Sequence, residues 1–84
     1  MINVKVLFFG ATADSVGERE VEISFDKNIN AENALEKIFE EFPDLAKNHE
    51  RKSLHFSVNQ EYAKGDEMIQ DGDELAVFTA VSGG

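Results

Sequence analysis

Apolar residues fall at every second position of the opening run Ile2-Asn3-Val4-Lys5-Val6-Leu7-Phe8-Phe9. Successive side chains of a strand point to opposite faces, so Ile2, Val4, Val6 and Phe8 share one face. That set predicts a core face. The other set, Asn3, Lys5, Leu7 and Phe9, begins polar and ends apolar, which leaves Leu7 and Phe9 on the outer face. Gly10 to Gly17 predicts a loop between two glycines, with room for one helical turn. Residues 19–25 alternate again, Val21, Ile23 and Phe25 inward and Glu20, Glu22 and Ser24 outward. They predict a half-buried strand antiparallel to the first.

After Asn30 the period changes. Ala31, Ala34, Leu35, Ile38, Phe39 and Phe42 recur at helical spacing and form one apolar stripe. Asn30 is placed to cap a helix from about Ala31 to Phe42, and Pro43 ends it by disfavouring helical geometry at Phe42. Glu32, Glu36, Glu40 and Glu41 lie on the opposite side. Paired carboxylates can do acid/base or metal chemistry, but on the wet face of an amphipathic helix they read as solvation.

Asp44 to Ser53 predicts an irregular polar segment anchored by Leu45, and His49 and His55 read as surface imidazoles without a metal-ligand pattern. Leu54 to Asn59 predicts a third strand with Leu54, Phe56 and Val58 inward. Asn59-Gln60-Glu61-Tyr62 reads as a turn and a short edge segment, and Met68-Ile69 as a small apolar plug. Asp71-Gly72-Asp73-Glu74 resembles a calcium loop superficially. It lacks the later bidentate Glu, and a Gly-centred turn explains it. Glu74 to Val81 predicts a last strand, with Leu75 and Val77 inward and Phe78 outward.

This order predicts an α+β fold, a mixed sheet with one main helix packed across one face. The helix supplies a crossover, so the first and last strands are expected to be parallel central neighbours. Leu7, Phe9, Phe78 and Ala80 then form one apolar patch on the face away from the helix. Such a patch suits docking unless the segments 10–17 or 60–69 cover it.

Composition narrows the chemistry. Eighty-four residues make a single domain, 1–84. With no cysteine there is no disulfide, thiolate metal site or cysteine nucleophile, so any sulfur chemistry must use sulfur from outside the side chains. Seventeen acidic and eight basic residues give a net charge of −9. That argues against nucleic acid and anionic membrane as partners and suits steering toward a basic surface, or plain solvation. No Walker or GxGxxG spacing occurs. No run approaches a membrane span or a signal peptide, so a soluble cytoplasmic protein is expected.

The closing residues Val81-Ser82-Gly83-Gly84 carry the remaining candidate chemistry. A glycine pair adopts almost any backbone conformation and passes through a narrow channel. A mobile tail over 81–84 would present the Gly84 α-carboxylate to another protein. The bland alternative is a frayed end or a cloning remnant.

These features together resemble the MoaD family, the small sulfur-carrier subunits of molybdopterin synthase, which are ubiquitin-like β-grasp proteins. The resemblance covers essentially the whole chain. It rests on Val4-Lys5-Val6-Leu7-Phe8-Phe9-Gly10, Val58-Asn59-Gln60, Asp71-Gly72-Asp73-Glu74-Leu75-Ala76-Val77-Phe78 and the terminal Val81-Ser82-Gly83-Gly84. It implies that the Gly84 carboxylate is adenylated by an ATP-using, E1-like (MoeB-like) adenylyltransferase and converted to a thiocarboxylate. The tail of Val81, Ser82, Gly83 and Gly84 would then enter a MoaE-like large subunit, and its sulfur would pass to the pyranopterin precursor of molybdenum cofactor. Phe9 and Phe78 match family positions that contact the large subunit, with Leu7 and Ala80 beside them. The resemblance implies a subunit that is not catalytic by itself, with no intrinsic cofactor and no metal. Two departures stand out: Ala11-Thr12-Ala13-Asp14-Ser15 lacks the basic residue common in the family, and Thr79-Ala80 replaces a common Pro-Pro. Delivery of sulfur to thiazole or tRNA, and a ubiquitin-like modifier conjugated through Gly84, are the alternative readings. The long segment 43–53 favours the molybdopterin branch over the shorter thiazole carriers.

Overall fold

The computed structural model describes residues 1–26, 29–50 and 53–79. The alternating stretches form the strands β1 (Ile2–Phe8), β2 (Glu20–Phe25), β4 (Leu54–Val58) and β7 (Glu74–Thr79). With the short β5 (Glu61–Tyr62) they make a five-stranded sheet in the order β2-β1-β7-β4-β5. β1 and β7 are parallel central neighbours, with Lys5 beside Glu74 and Phe8 beside Val77. The other pairings are antiparallel, so the sheet is mixed as expected. A second, two-stranded sheet pairs β3 (Ile29–Asn30) with β6 (Met68–Ile69).

Helix α2 (Ala31–Glu41) crosses one face of the large sheet. Its inward residues Ala31, Ala34, Leu35 and Ile38 are buried against Val4, Val6, Phe8, Leu54, Leu75 and Val77. Burying a side chain such as Leu35 or Ile38 contributes about 1.5–3 kcal/mol, so this interface is the main source of stability. Asn30 caps the helix as its sequence position predicts: its Oδ1 accepts the Asn33 N–H at 2.8 Å. The next free donors are met by the 63–67 turn. Ala31 N–H donates to the Glu67 carbonyl at 2.8 Å and Glu32 N–H to the Gly65 carbonyl at 3.0 Å. That turn is tied by the Glu67 carboxylate, which accepts the N–H groups of Lys64 and Gly65. These two backbone donors hold its carboxyl below the usual carboxylate range.

Three expectations need correction. The segment after Gly10 is a short helix, α1 (Ala11–Val16), rather than a loop with a turn in it. The segment after Pro43 is also helical, α3 (Pro43–Asn48), instead of irregular. Pro43 does end α2, but it stands in the first turn of α3, where a missing N–H costs nothing and a fixed φ is an advantage. The expected anchor Leu45 is fully buried on α3. Third, neither histidine is a bare surface imidazole. His49 Nε2 lies 2.8 Å from Ser15 Oγ and links α3 to α1, and His55 sits in an aromatic cluster. Of the Met68-Ile69 plug, Ile69 is buried while Met68 is exposed.

The turn residues do structural work. Asn59 and Gln60 both adopt positive φ between β4 and β5. Asn59 Oδ1 accepts the Glu74 N–H at 3.0 Å, pinning the hairpin to the start of β7. Asp71 and Asp73 accept the N–H groups of Asn3 and Gln70. Their carboxylates are used in backbone hydrogen bonds, in keeping with a turn and not a calcium loop.

Candidate functional site

The outer face of the sheet, opposite α2, carries the site. Parallel register sets Leu7 beside Ala76, and the Phe9 N–H donates to the Val77 carbonyl at 3.2 Å. Phe9 and Phe78 therefore leave the ends of two adjacent strands on the same side. Antiparallel pairing places His55 of β4 directly across from Phe78, and Tyr62 of β5 across from Ser57.

Three rings close on one another there. Phe78 and His55 stack with centroids 6.0 Å apart and planes 26° apart. Tyr62 meets Phe78 edge-on at 5.6 Å and His55 at 6.2 Å. Each such pair is worth about 0.5–1.5 kcal/mol beyond its buried area, which gives the patch a defined shape before any partner arrives. Phe9 is 52% exposed and Tyr62 74% exposed, while Leu7 and Phe78 are half-buried. A shallow hollow of about 340 Å³, lined by Phe9, Gly10, Phe78 and Thr79, lies beside the cluster. Thr79 is the last residue described; Ala80 and the tail residues Val81, Ser82, Gly83 and Gly84 lie outside the described residues.

Neither candidate cover roofs this face. Residues 11–16 form α1, which packs against α3 and the end of β7. The segment 60–69 contributes Tyr62 to the patch and so widens it. Of the expected docking residues, the structure brings Leu7, Phe9 and Phe78 to one face. Periodicity did not single out His55 or Tyr62, whose membership depends on the β4–β7 and β4–β5 register. Strand alternation from Phe56 and Val58 inward did place His55 outward.

A further residue escaped sequence reasoning. Thr12 is fully buried on α1. Its Oγ1 accepts the Phe9 N–H at 3.0 Å and lies 2.9 Å from the Val77 carbonyl and 2.8 Å from the Phe9 carbonyl, to either of which its proton can be given. One hydroxyl thus ties α1 to the ends of both central strands, directly behind Phe9 and Phe78. Buried hydroxyls persist only when bonded in this way.

Among the described residues, no three His, Cys, Asp or Glu side chains gather to hold a metal ion. No helix among them is long and apolar enough to cross a membrane. The exposed rings of Phe9 and Tyr62 suit the face to apolar docking.

Comparison with known proteins places this geometry in context. Residues 6–84 match the ThiS family. The molybdopterin synthase sulfur carrier subunit of Caenorhabditis elegans is 40% identical over 87 residues, covering 100% of both chains. Among solved structures, SAMP1 of Haloferax volcanii superposes with a TM-score of 0.82 at 27% identity, covering 98% of this chain and 99% of that one. Subunit 1 or 2 in the complex of the two molybdopterin-converting factor subunits of Helicobacter pylori superposes with a TM-score of 0.70 at 21% identity, covering 99% of this chain and 100% of that one. The last likeness bears on the fold, which is the ubiquitin-like β-grasp. With the family matched over nearly its whole length and a full-length relative at this identity, the chain belongs to the ThiS/MoaD family.

Proposed function

We propose that this chain is the sulfur-carrier subunit of a molybdopterin synthase and acts through the carboxylate of Gly84. The observation that carries the reading is the exposed aromatic face built at the very end of β7, on the strand that leads into the glycine pair. A partner that grips Phe9, Phe78 and Tyr62 receives the residues after Thr79 at a fixed point. Full-length identity to proteins named molybdopterin synthase sulfur carrier subunit supports the same reading.

In this account the Gly84 carboxylate attacks the α-phosphorus of ATP in an E1-like, MoeB-like adenylyltransferase and pyrophosphate leaves. Adenylation turns a poor oxide leaving group into a good one, so a sulfide donor attacks the acyl carbon and AMP departs. The resulting thiocarboxylate is the carried sulfur; the chain has no cysteine to compete with it. A MoaE-like large subunit supplies the acid/base and electrostatic groups for transfer to the pyranopterin precursor, so the carrier needs no catalytic side chain. The complex of two converting-factor subunits from Helicobacter pylori supports a partner of this kind.

Removal of Gly84 tests the proposal. Sulfur transfer in a reconstituted synthase is expected to vanish while the melting temperature stays unchanged. Retained transfer would overturn it. A second reading, a modifier conjugated to lysines through Gly84, draws on the likeness to SAMP1, a small archaeal modifier protein. Adducts on other proteins, in place of a thiocarboxylate, would favour it.

A further inference from the structure

Among the described residues, β2 is an open edge of the five-stranded sheet. Its register to β1 sets Glu20 beside Leu7, Val21 beside Val6, Glu22 beside Lys5 and Ile23 beside Val4. The Phe8 N–H donates to the Arg19 carbonyl at 2.9 Å, which makes those two a hydrogen-bonded pair. Such pairs alternate along an antiparallel ladder. Val21, Ile23 and Phe25 therefore turn their backbone groups toward β1. The other side of β1 agrees: the N–H groups of Lys5 and Phe9 point to β7, where they meet the carbonyls of Asp73 and Val77. Glu20, Glu22 and Ser24 are left with their N–H and C=O groups directed to the open side, a template for one more strand.

The side chains along this edge specify what that strand must look like. Residues of an added strand that lie across from Glu20 and Glu22 place their side chains on the outer face, beside two exposed carboxylates. Residues across from Val21 and Ile23 point to the other side, over two half-buried apolar side chains. On that side a hollow of about 280 Å³ runs between β2 and α2, lined by Ser24, Phe25, Asp26, Ile29, Asn33 and Lys37. Lys5 offsets part of the Glu22 charge, so Glu20, opposite Leu7, is the stronger determinant. A second copy of this chain is a poor occupant. Antiparallel β2–β2 pairing would set the Glu20 and Glu22 carboxylates of the two copies against each other, on chains that each carry a net charge of −9.

We propose that β2 is a strand-addition site for an extended protein segment in which basic and apolar residues alternate. β1 separates this edge from the rings of His55, Tyr62 and Phe78, with Glu20 beside Leu7 of the docking face, and the proposal does not depend on the sulfur-carrier reading.

The test uses a capped peptide of alternating lysine and valine, titrated into the isotope-labelled full chain. Saturable shifts and slowed amide exchange are expected at Glu20, Glu22 and Ser24. A peptide of the same composition with its lysines and valines in separate blocks is expected to bind about tenfold more weakly, because its charges fall out of register. The double variant E20K/E22K is expected to lose about tenfold or more in affinity. E22P removes an edge donor that the β1 ladder does not use, so it is expected to fold and to bind more weakly; proline is tolerated where the N–H faces solvent. Should E22P fail to fold, the charge-reversed variant carries the test. Equal binding by the block peptide, or unchanged affinity of E20K/E22K, would overturn the proposal. So would slowed exchange at β5 or around Phe78 instead, or protection of β2 that grows with protein concentration alone.

Discussion

Replacing Phe78 by alanine separates docking from folding. Phe78 is half-buried in the free protein, held by His55 at 6.0 Å and Tyr62 at 5.6 Å. Its loss removes two ring pairs, each worth about 0.5–1.5 kcal/mol, from a face that is partly solvated. A stability loss near 1 kcal/mol lowers the melting temperature of a domain this size by roughly 4–8 °C, which leaves it folded at room temperature. Docking should suffer more. A buried aromatic anchor contributes about 1–3 kcal/mol on truncation, so Kd for the large subunit of the synthase rises about 5- to 150-fold. Calorimetric titration of Phe78→Ala against that subunit measures this, with circular dichroism melts run alongside. Leu75→Ala is the control from the opposite face of the same strand. Leu75 is buried in the core, so this change costs about 2–5 kcal/mol of stability and leaves the affinity of the folded fraction unchanged. A Kd for Phe78→Ala within about twofold of the parent, with the melt intact, would refute the assignment of this face.

Two further outcomes follow from the hydrogen bonds. Thr12→Val keeps the volume but leaves the Val77 and Phe9 carbonyls without the hydroxyl donor; it is expected to cost about 1–3 kcal/mol, read by denaturant unfolding, and to speed amide exchange at Phe9. No change in either would mean the clamp contributes nothing. Glu67 has its folded pKa lowered by the N–H groups of Lys64 and Gly65, so its contribution is complete above the ordinary carboxylate pKa and is lost as pH falls through the folded value. The stability gap between the parent and Glu67→Gln is expected to narrow on acidification from about pH 6 to about pH 3, and a gap independent of pH would contradict the role of the charged carboxylate.

Much of this architecture was legible because burial enforces period. Val4, Val6 and Phe8, or Ala34, Leu35 and Ile38, could be assigned a face without knowing what lay across from them. The Asn30 cap and the parallel neighbours β1 and β7 followed from the same logic, and so did the outward positions of Leu7, Phe9 and Phe78. The short helices α1 and α3 were not legible. Each has six residues, too few for a helical period to declare itself, and each is held by packing: Leu45 in the core, and Thr12 on the ends of two strands. Pro43 carries an ambiguous signal, since the residue that stops one helix also starts the next. The ring cluster of His55, Tyr62 and Phe78 draws one residue from each of three strands, β4, β5 and β7, and only register can unite them.

Intact-mass analysis tests the role of the last backbone carboxyl most directly. The purified chain is incubated with ATP, the activating enzyme and a sulfide source, then weighed whole and by C-terminal fragment. A gain equal to exchanging one oxygen for one sulfur, located on Gly84, is the predicted result. An unchanged mass under conditions that load a known carrier, or sulfur found anywhere but Gly84, would contradict it.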